Sequence, residues 1–437
     1  MKTINVGLLG CGTVGTGVAR MLIQNADILR KRVGTDLNLR KVADIDTTTD
    51  RGVAFPDGVF ISDGFQLVDD PEIDIVVEMI GGEGIAKELI LKAIANGKHV
   101  VTANKALLAR HGGAVFAAAA ERGVDLAYEA SVGGCMPVIK TLRESLVGNR
   151  IVSATGILNG TCNYILSRIT DEGIAFEEAL RQAQAEGYAE ADPTLDVEGY
   201  DTAHKLAIIT ALAYGTPVDF DDIYIEGITR ITPMDIDFAR QFGFRIKLLA
   251  ICKAVGDGIE ARVHPTMISE NNLLSTISGP LNALTITGDA VGDVLLHGRG
   301  AGMMPTASAV VSDIVDIARN LIYGQPGRVP LLSFQRDQMT PRRILPMEEI
   351  STHYYLRIHV LDRPGVLSTI SGILGETDIS IQTVHQKGRR EKGSVPIVMM
   401  THRAREADMI RALAAINALD VVADRPMLIR VEDENSD

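Results

Sequence analysis

The chain has 437 residues, 46% hydrophobic and 23% charged, with a formal net charge of −13. Its length exceeds one ordinary domain and predicts two or three. The acidic balance argues against nucleic acid as a partner, and no apolar run reaches the ~18 residues needed to span a bilayer.

Residues 1–130 alternate short apolar runs with helical patterns. "TINVGLL" (3–9), "IDIVVEMI" (73–80), "KHVVTA" (98–103) and "VDLAYEA" (124–130) read as buried strands, and a helix is expected over 84–96. Gly97 and Gly123 follow helical runs as C-caps. Strands separated by crossover helices predict a doubly wound parallel sheet of the Rossmann type. Over 131–304 helices are expected at 134–147, 161–171, 176–187 and 198–214, with mixed helix and strand between 222 and 300. This reads as an α+β catalytic and oligomerisation domain. A helix in 305–325 would return to the first domain, and the proline-bearing stretch 326–350 reads as a linker. Residues 351–437 carry a ferredoxin-like βαββαβ order, with alternating Tyr354, Leu356, Ile358 and Val360 and a charged hairpin at 387–393.

The chain runs directly into its first strand, so no signal peptide is expected. Cys11, Cys135, Cys162 and Cys252 form no C-x-x-C pair. They suggest neither a disulfide framework nor a zinc site, and point to a reducing cytoplasm.

"GLLGCGTVGTG" (7–17) holds G-x-G-x-x-G between a strand and a helix, the context a dinucleotide loop requires. Gly10 suits a tight turn, Gly12 the approach of a pyrophosphate and Gly15 close helix–strand packing. Thr13 and Val14 lie where the helix N-terminus meets phosphate charge. Asp44, after the second strand, is placed to bind the ribose hydroxyls and favours NAD. Arg40, Lys41 and Arg51 nearby leave NADP open. Thr102, Asn104 and Lys105 end the fifth strand, where ligands of such sheets sit, although a strand-end lysine can equally be a surface residue.

The densest polar cluster is "EGYAEADPTLDVEGYDTAHK" (186–205). Asp196 reads as a helix cap. Asp201 and Lys205 are i,i+4 neighbours on a face continuing through Ile208 and Leu212. A lysine there can exchange protons if burial lowers its pKa, or it can form an ordinary ion pair. Glu190, Asp192 and Asp196 could bind an ammonium group. "EASVGGCMP" (129–137) offers the Glu129 carboxylate and a run of carbonyls to a hard cation, or makes only a tight turn. "GILNGTCNYIL" (156–166) places Asn159, Gly160 and Thr161 at a helix start, as a cap or as a substrate contact.

In order, "GxGTVG", "TANK", "EASVGG", "GILNGT", "GYAEADPTLDVEGYDTAHK" and "GRGAGMMPTASAVVSD" resemble homoserine dehydrogenase over residues 3–325. "LDRPGVLSTI" and "DISIQTVHQ" resemble an ACT domain, the amino-acid-sensing module of biosynthetic enzymes. Together they resemble the monofunctional, feedback-regulated form. The resemblance implies reversible NAD- or NADP-dependent reduction of aspartate 4-semialdehyde to homoserine, in threonine, methionine and isoleucine biosynthesis. It implies Lys205 as general acid/base, Lys105 polarising the substrate oxygen beside the nicotinamide, and Asp201 orienting both substrate and Lys205. Glu190 and Asp196 would hold the substrate amino group, with Gly160 and Thr161 nearby. A sodium- or potassium-like ion would bind Glu129 and the carbonyls of Val132, Gly134 and Met136. Threonine is the expected effector, at Gly365 and at Asp378, where the family often has Asn. A cytoplasmic homodimer or homotetramer is expected, with no membrane partner. Two alternatives are a thiol-dependent semialdehyde dehydrogenase using Cys135 or Cys162, and a non-catalytic amino-acid sensor.

Overall fold

The computed structural model describes residues 3–386 and 394–432. The hairpin read at 387–393 lies outside the described residues. In chain order come β1 (Ile4–Leu9), α1 (Thr13–Gln24), α2 (Ala26–Val33), β2 (Leu37–Ala43), β3 (Phe60–Ile61), α3 (Gly64–Asp69), β4 (Ile75–Glu78), α4 (Ile85–Ala95), β5 (His99–Thr102), α5 (Lys105–Arg122) and β6 (Leu126–Ala127). Next are α6 (Val138–Lys140), β7 (Ile151–Ile157), α7 (Gly160–Glu172), α8 (Phe176–Ala185), α9 (Thr194–Val197), α10 (Tyr200–Tyr214), β8 (Tyr224–Ile225), α11 (Pro233–Gln241), β9 (Phe244–Val255), β10 (Gly258–Ser269), β11 (Leu281–Gly288), β12 (Gly292–Arg299) and α12 (Met303–Ile322). The last elements are β13 (Ser351–Leu361), α13 (Val366–Glu376), β14 (Ile381–Gln386), β15 (Ser394–Thr401), β16 (Ala404–Arg405), α14 (Glu406–Asn417) and β17 (Met427–Glu432). Two compact units result: residues 1–154, 203–221 and 282–342, and residues 155–202, 222–281 and 343–437.

The first unit holds a parallel sheet ordered β3-β2-β1-β4-β5-β6. β4 and β5 are buried on both faces, as helix-covered parallel strands must be. Glycine sets how closely α12 lies on α1. A Cβ at Gly17 would come within 2.9 Å of the Met303 carbonyl oxygen. Ala307, Val310 and Ile314 thereby join the core of Val6, Leu8 and Val18. "VDLAYEA", expected as one strand, yields only the two-residue β6 and then a 3-10 turn, Glu129–Ser131. Its cause is local: the Glu129 carboxylate turns to accept the amides of Ile139 and Lys140 at the next helix.

In the second unit the strands run β9-β10-β17-β13-β15-β14. β10 pairs with β9 antiparallel along its whole length and with β17 in parallel from Thr266↔Arg430 to Ile268↔Glu432. One face of β13 presents Tyr354, Leu356, Ile358 and Val360 to Ile370 and Leu374 of α13 and Met409, Ala412 and Ile416 of α14. The opposite face carries charge inward. Asp235 of α11 is fully buried. Its Oδ1 accepts from Arg357 Nε (2.7 Å) and Tyr355 Oη (3.0 Å), and its Oδ2 from Arg357 Nη2 (3.0 Å). A second buried cation, Arg430 of β17, donates to Glu406 and to Glu226 (2.6 Å). The strands at 353–432 therefore do not end in water on the β17 side; they continue into β10.

Removing one member of a buried pair strands the other charge. Asp235→Ala is expected to destabilise the chain by about 3–5 kcal/mol, read by urea unfolding, and Arg357→Met in the same chain to restore most of the loss. A loss under about 1 kcal/mol, the scale of a surface change, would contradict a buried pair at this position.

Candidate active site

In the first unit, the dinucleotide loop lies between β1 and α1. Gly10 has φ +87°, and a Cβ there would sit 2.8 Å from the Met79 carbonyl oxygen. At Gly15 a Cβ would overlap the Gly10 carbonyl. At Gly12, exposed beside exposed Thr13 and half-buried Val14, a Cβ would meet nothing within 4 Å. Gly12 caps α1 with no side-chain bond, and the first turn holds no acidic residue. The amides of that turn are therefore available to an anion. These features fit a dinucleotide pyrophosphate.

Asp44 follows β2 directly. Its Oδ2 accepts from the Cys11 amide at 2.5 Å and its Oδ1 from the Asp46 amide at 2.9 Å. Arg51 holds the same loop from the other side, donating from Nε to the Cys11 carbonyl (2.8 Å), with Nη2 3.7 Å from Asp44 Oδ1. Asp46 instead closes its own turn: hydrogen bonds from Thr49, then Thr48, hold its carboxyl well below the usual range.

At the carboxyl ends of β4 and β5 the organising group is Glu78, which is fully buried. One carboxylate oxygen accepts the amides of Ile80 and Gly81, each at 2.8 Å, and the other the Thr102 hydroxyl at 2.6 Å. Thr102 Oγ1 in turn accepts the Asn104 amide (3.0 Å), and Asn104 Oδ1 caps α5 through the Leu107 amide (3.1 Å). Lys105 is the first residue of α5 and is half-buried. Thr102 thus positions this turn rather than facing outward.

The second unit holds the carboxylates. Asn159 is buried and caps α7, its Oδ1 accepting the Cys162 amide at 2.8 Å. Its amide nitrogen donates to Asp196 Oδ1 (2.7 Å) and to Asp201 Oδ2 (2.8 Å). Asp196, read as a helix cap, lies inside the short helix α9 with its carboxylate on that amide. Asp201 lies in the first turn of α10, and Lys205, 8% exposed, follows one turn later on the same helix. Glu190 is exposed, and its carbonyl accepts from Gln184 at 3.1 Å. Thr161 donates its hydroxyl to the Tyr188 carbonyl at 2.6 Å. Gly160 is required by close approach: a Cβ there would lie 2.7 Å from the Pro280 carbonyl oxygen.

Glu129 is 4% exposed, and its carboxyl is pushed up to about 7 by burial and then by Asp313. Asp313 accepts the Glu129 amide at 2.8 Å and lies 3.3 Å from Lys140 Nζ. Val132 and Met136 are buried, and Gly133 and Gly134 turn the chain at φ +71° and +60°. Both Glu129 oxygens already accept amides, and the Met136 carbonyl accepts from Val138. Among the described residues no group of three or more His, Cys, Asp or Glu is arranged to hold a metal.

On the ACT-like segment Gly365 begins α13 at φ +88°. Asp378 is exposed at φ 62°, a backbone state that Asn and Asp adopt more readily than other non-glycine residues.

Three family profiles match the chain: "Homoserine dehydrogenase, NAD binding domain" at residues 10–129, "Homoserine dehydrogenase" at 137–315 and "ACT domain" at 354–421. A homoserine dehydrogenase of Neisseria gonorrhoeae is 47% identical over 432 residues, covering 99% of each chain. The chain belongs to the homoserine dehydrogenase family. The crystal structure of a homoserine dehydrogenase from Thiobacillus denitrificans superimposes with a TM-score of 0.94 at 49% identity, over 99% of both chains. A hyperthermophilic archaeal homoserine dehydrogenase in complex with NADPH matches 72% of this chain and 98% of its own, with a TM-score of 0.62 and 25% identity. As a homoserine dehydrogenase with an ACT domain, the chain is an NAD(P)-dependent oxidoreductase with small-molecule ligands. No helix among the described residues is long and apolar enough to cross a membrane.

The family assignment favours alcohol oxidation over thiol chemistry. Cys162 is buried with Sγ 3.1 Å from the Asp196 carbonyl, and Cys135 donates to the Arg299 carbonyl. Sequence reasoning missed Glu78 and the bridging role of Asn159. An Asn before Gly-Thr signals a cap, but its amide partners lie 37 and 42 residues further on. Asn159→Ala is expected to cost about 1 kcal/mol of stability through the lost cap. Displacement of the two carboxylates should cut kcat/KM for homoserine by about 100-fold. An unchanged kcat/KM in a folded variant would contradict the bridge.

Proposed function

We propose that Lys205 is the general acid/base of homoserine oxidation, oriented by Asp201, and that Lys105 stabilises charge on the substrate oxygen. The supporting observation is the bridge of Asn159: one amide gathers Asp196 and Asp201, and Asp201 stands one helical turn before Lys205. Asp196, with Glu190, Gly160 and Thr161, would receive the substrate's ammonium end. A nicotinamide cofactor held by the glycine loop would supply the hydride acceptor. As the hydride leaves the carbinol carbon, Lys205 takes the hydroxyl proton and the carbon–oxygen bond becomes a carbonyl. The reverse sequence reduces the semialdehyde. Lys105 supplies positive charge where alkoxide character develops.

The cofactor would lie on Gly10, Gly12, Thr13, Val14 and Gly15, with Asp44 toward the ribose. Asp44 favours NAD, and Arg51 beside it is the cation that a 2′-phosphate would meet. A sodium- or potassium-like ion at Glu129, with the Val132, Gly134 and Met136 carbonyls, would offset the paired buried carboxylates Glu129 and Asp313, which Lys140 and Arg143 balance only in part. Feedback inhibition by threonine at Gly365 and Asp378, a cytoplasmic location and a homodimeric or homotetrameric state complete the reading. Residues 1–130, 131–304, 305–325, 326–350 and 351–437 are proposed as its nucleotide, catalytic, returning-helix, linker and regulatory segments.

Lys205→Ala should keep the circular dichroism spectrum of the wild type and lose about 10²–10⁴-fold in kcat. This is followed as homoserine-dependent cofactor reduction with NAD and NADP in turn, each with and without threonine. Near-normal turnover in the variant would overturn the assignment.

A further inference from the structure

A cavity of about 400 Å³ opens in the second unit at the far end of α7 from Asn159. Its wall includes Ser167 and Thr170 of α7, Arg240 of α11, Arg245 and Lys247 of β9, and Glu270. Residues 160 and 170 of a helix stand about 15 Å apart along its axis, so this cavity is separate from the carboxylates near Asp196.

Its polar groups are unbalanced. Lys247 is 6% exposed, and its ammonium donates to the Ile277 carbonyl (2.6 Å) and to Asn163 Oδ1 (3.2 Å), both neutral. Glu270 is engaged by Arg245 Nη2 at 3.0 Å. Asp171 also lines the cavity, and its charge acts on Lys247 against the effect of burial. Burial, reinforced by the charge of Arg245, pushes the Lys247 amine down to about 8. Arg245 Nη1 is itself buried and meets no acceptor. Arg240 is already used, donating to the Thr170 carbonyl at 2.6 Å. A buried guanidinium nitrogen without an acceptor and a buried ammonium whose hydrogen-bond acceptors are neutral oxygens are both costly, and an oxyanion satisfies both through charge-assisted bonds.

We propose that this cavity binds a small oxyanion, a carboxylate or a phosphate, through Lys247 Nζ and Arg245 Nη1. The same wall leads to the substrate segment, because Lys247 bonds Ile277 and three residues later the Pro280 carbonyl packs on Gly160. Occupancy should therefore alter KM for homoserine more than kcat.

Inorganic phosphate and succinate are each titrated into the full chain by calorimetry, at constant ionic strength and with cofactor saturating the dinucleotide loop. Wild type, Lys247→Met and Arg245→Gln are compared. The expected result is saturable binding of one or both anions at one site per chain, weakened by about tenfold or more in each variant, while kcat is retained. Saturation by phosphate alone or by succinate alone supports the site and names its anion. Absence of saturable binding by either anion, or binding unchanged in both variants, overturns it. Arg245→Gln decides the matter if Lys247→Met fails to fold.

Discussion

A single carboxamide holds two like charges together at the centre of this enzyme. An Asn side chain has two N–H bonds, and Asn159 spends one on Asp196 and the other on Asp201. Left alone, two carboxylates at this spacing would repel; a neutral donor between them lowers that cost and fixes where their remaining lone pairs point. The carbonyl end of the same side chain caps α7. The start of α7, the short helix α9 and the start of α10 are therefore registered to one another by one residue. The cluster is a ready acceptor for a cation of ammonium size, and the proton-exchanging role assigned to Lys205 depends on the helix whose first turn holds Asp201.

The ACT segment is built into the second unit rather than tethered to it. β17 pairs with β10, and the buried Arg357–Asp235 and Arg430–Glu226 pairs tie strands of the regulatory part to α11 and to the stretch after β8. Any displacement of β13 or β17 on effector binding must therefore be absorbed by α11 and β10. α11 also carries Arg240, which reaches the last turns of α7. The ACT segment is thus joined to the catalytic elements by strand pairing and buried ion pairs rather than by a loose linker. Close-packed elements of this kind shift between discrete arrangements rather than deforming smoothly.

Much of this was legible in the sequence where local sterics decide. The spacing of Gly10, Gly12 and Gly15 announces a phosphate loop because Gly10 and Gly15 each answer a distinct clash while Gly12 leaves open space beside the helix start, and the alternation from Tyr354 to Val360 announces the buried face of β13. The two-residue strand β3 and the β10–β17 pairing were not legible, because each depends on a partner more distant in sequence; the turn that replaces a longer β6 was not legible because it rests on a side-chain contact that strand periodicity does not carry. Glu78 reads as an unremarkable acid at the end of an apolar strand until the strand order puts Thr102 beside it. Asp378 illustrates a backbone feature that the pattern does not announce: it stands at φ 62°, a left-handed state that Asp adopts more readily than most residues.

The central claim is that the Asn159-bridged carboxylates read the substrate's ammonium group. Its most direct test compares kcat/KM for homoserine with that for 4-hydroxybutyrate, which lacks only the amino group, in the wild type and in Asn159→Ala. The wild type is predicted to discriminate by about 10⁴-fold, as sites built to bond a polar group do. The variant is predicted to discriminate at least about ten times less, a coupling expected of groups in one network. Equal discrimination by the two proteins would contradict the account.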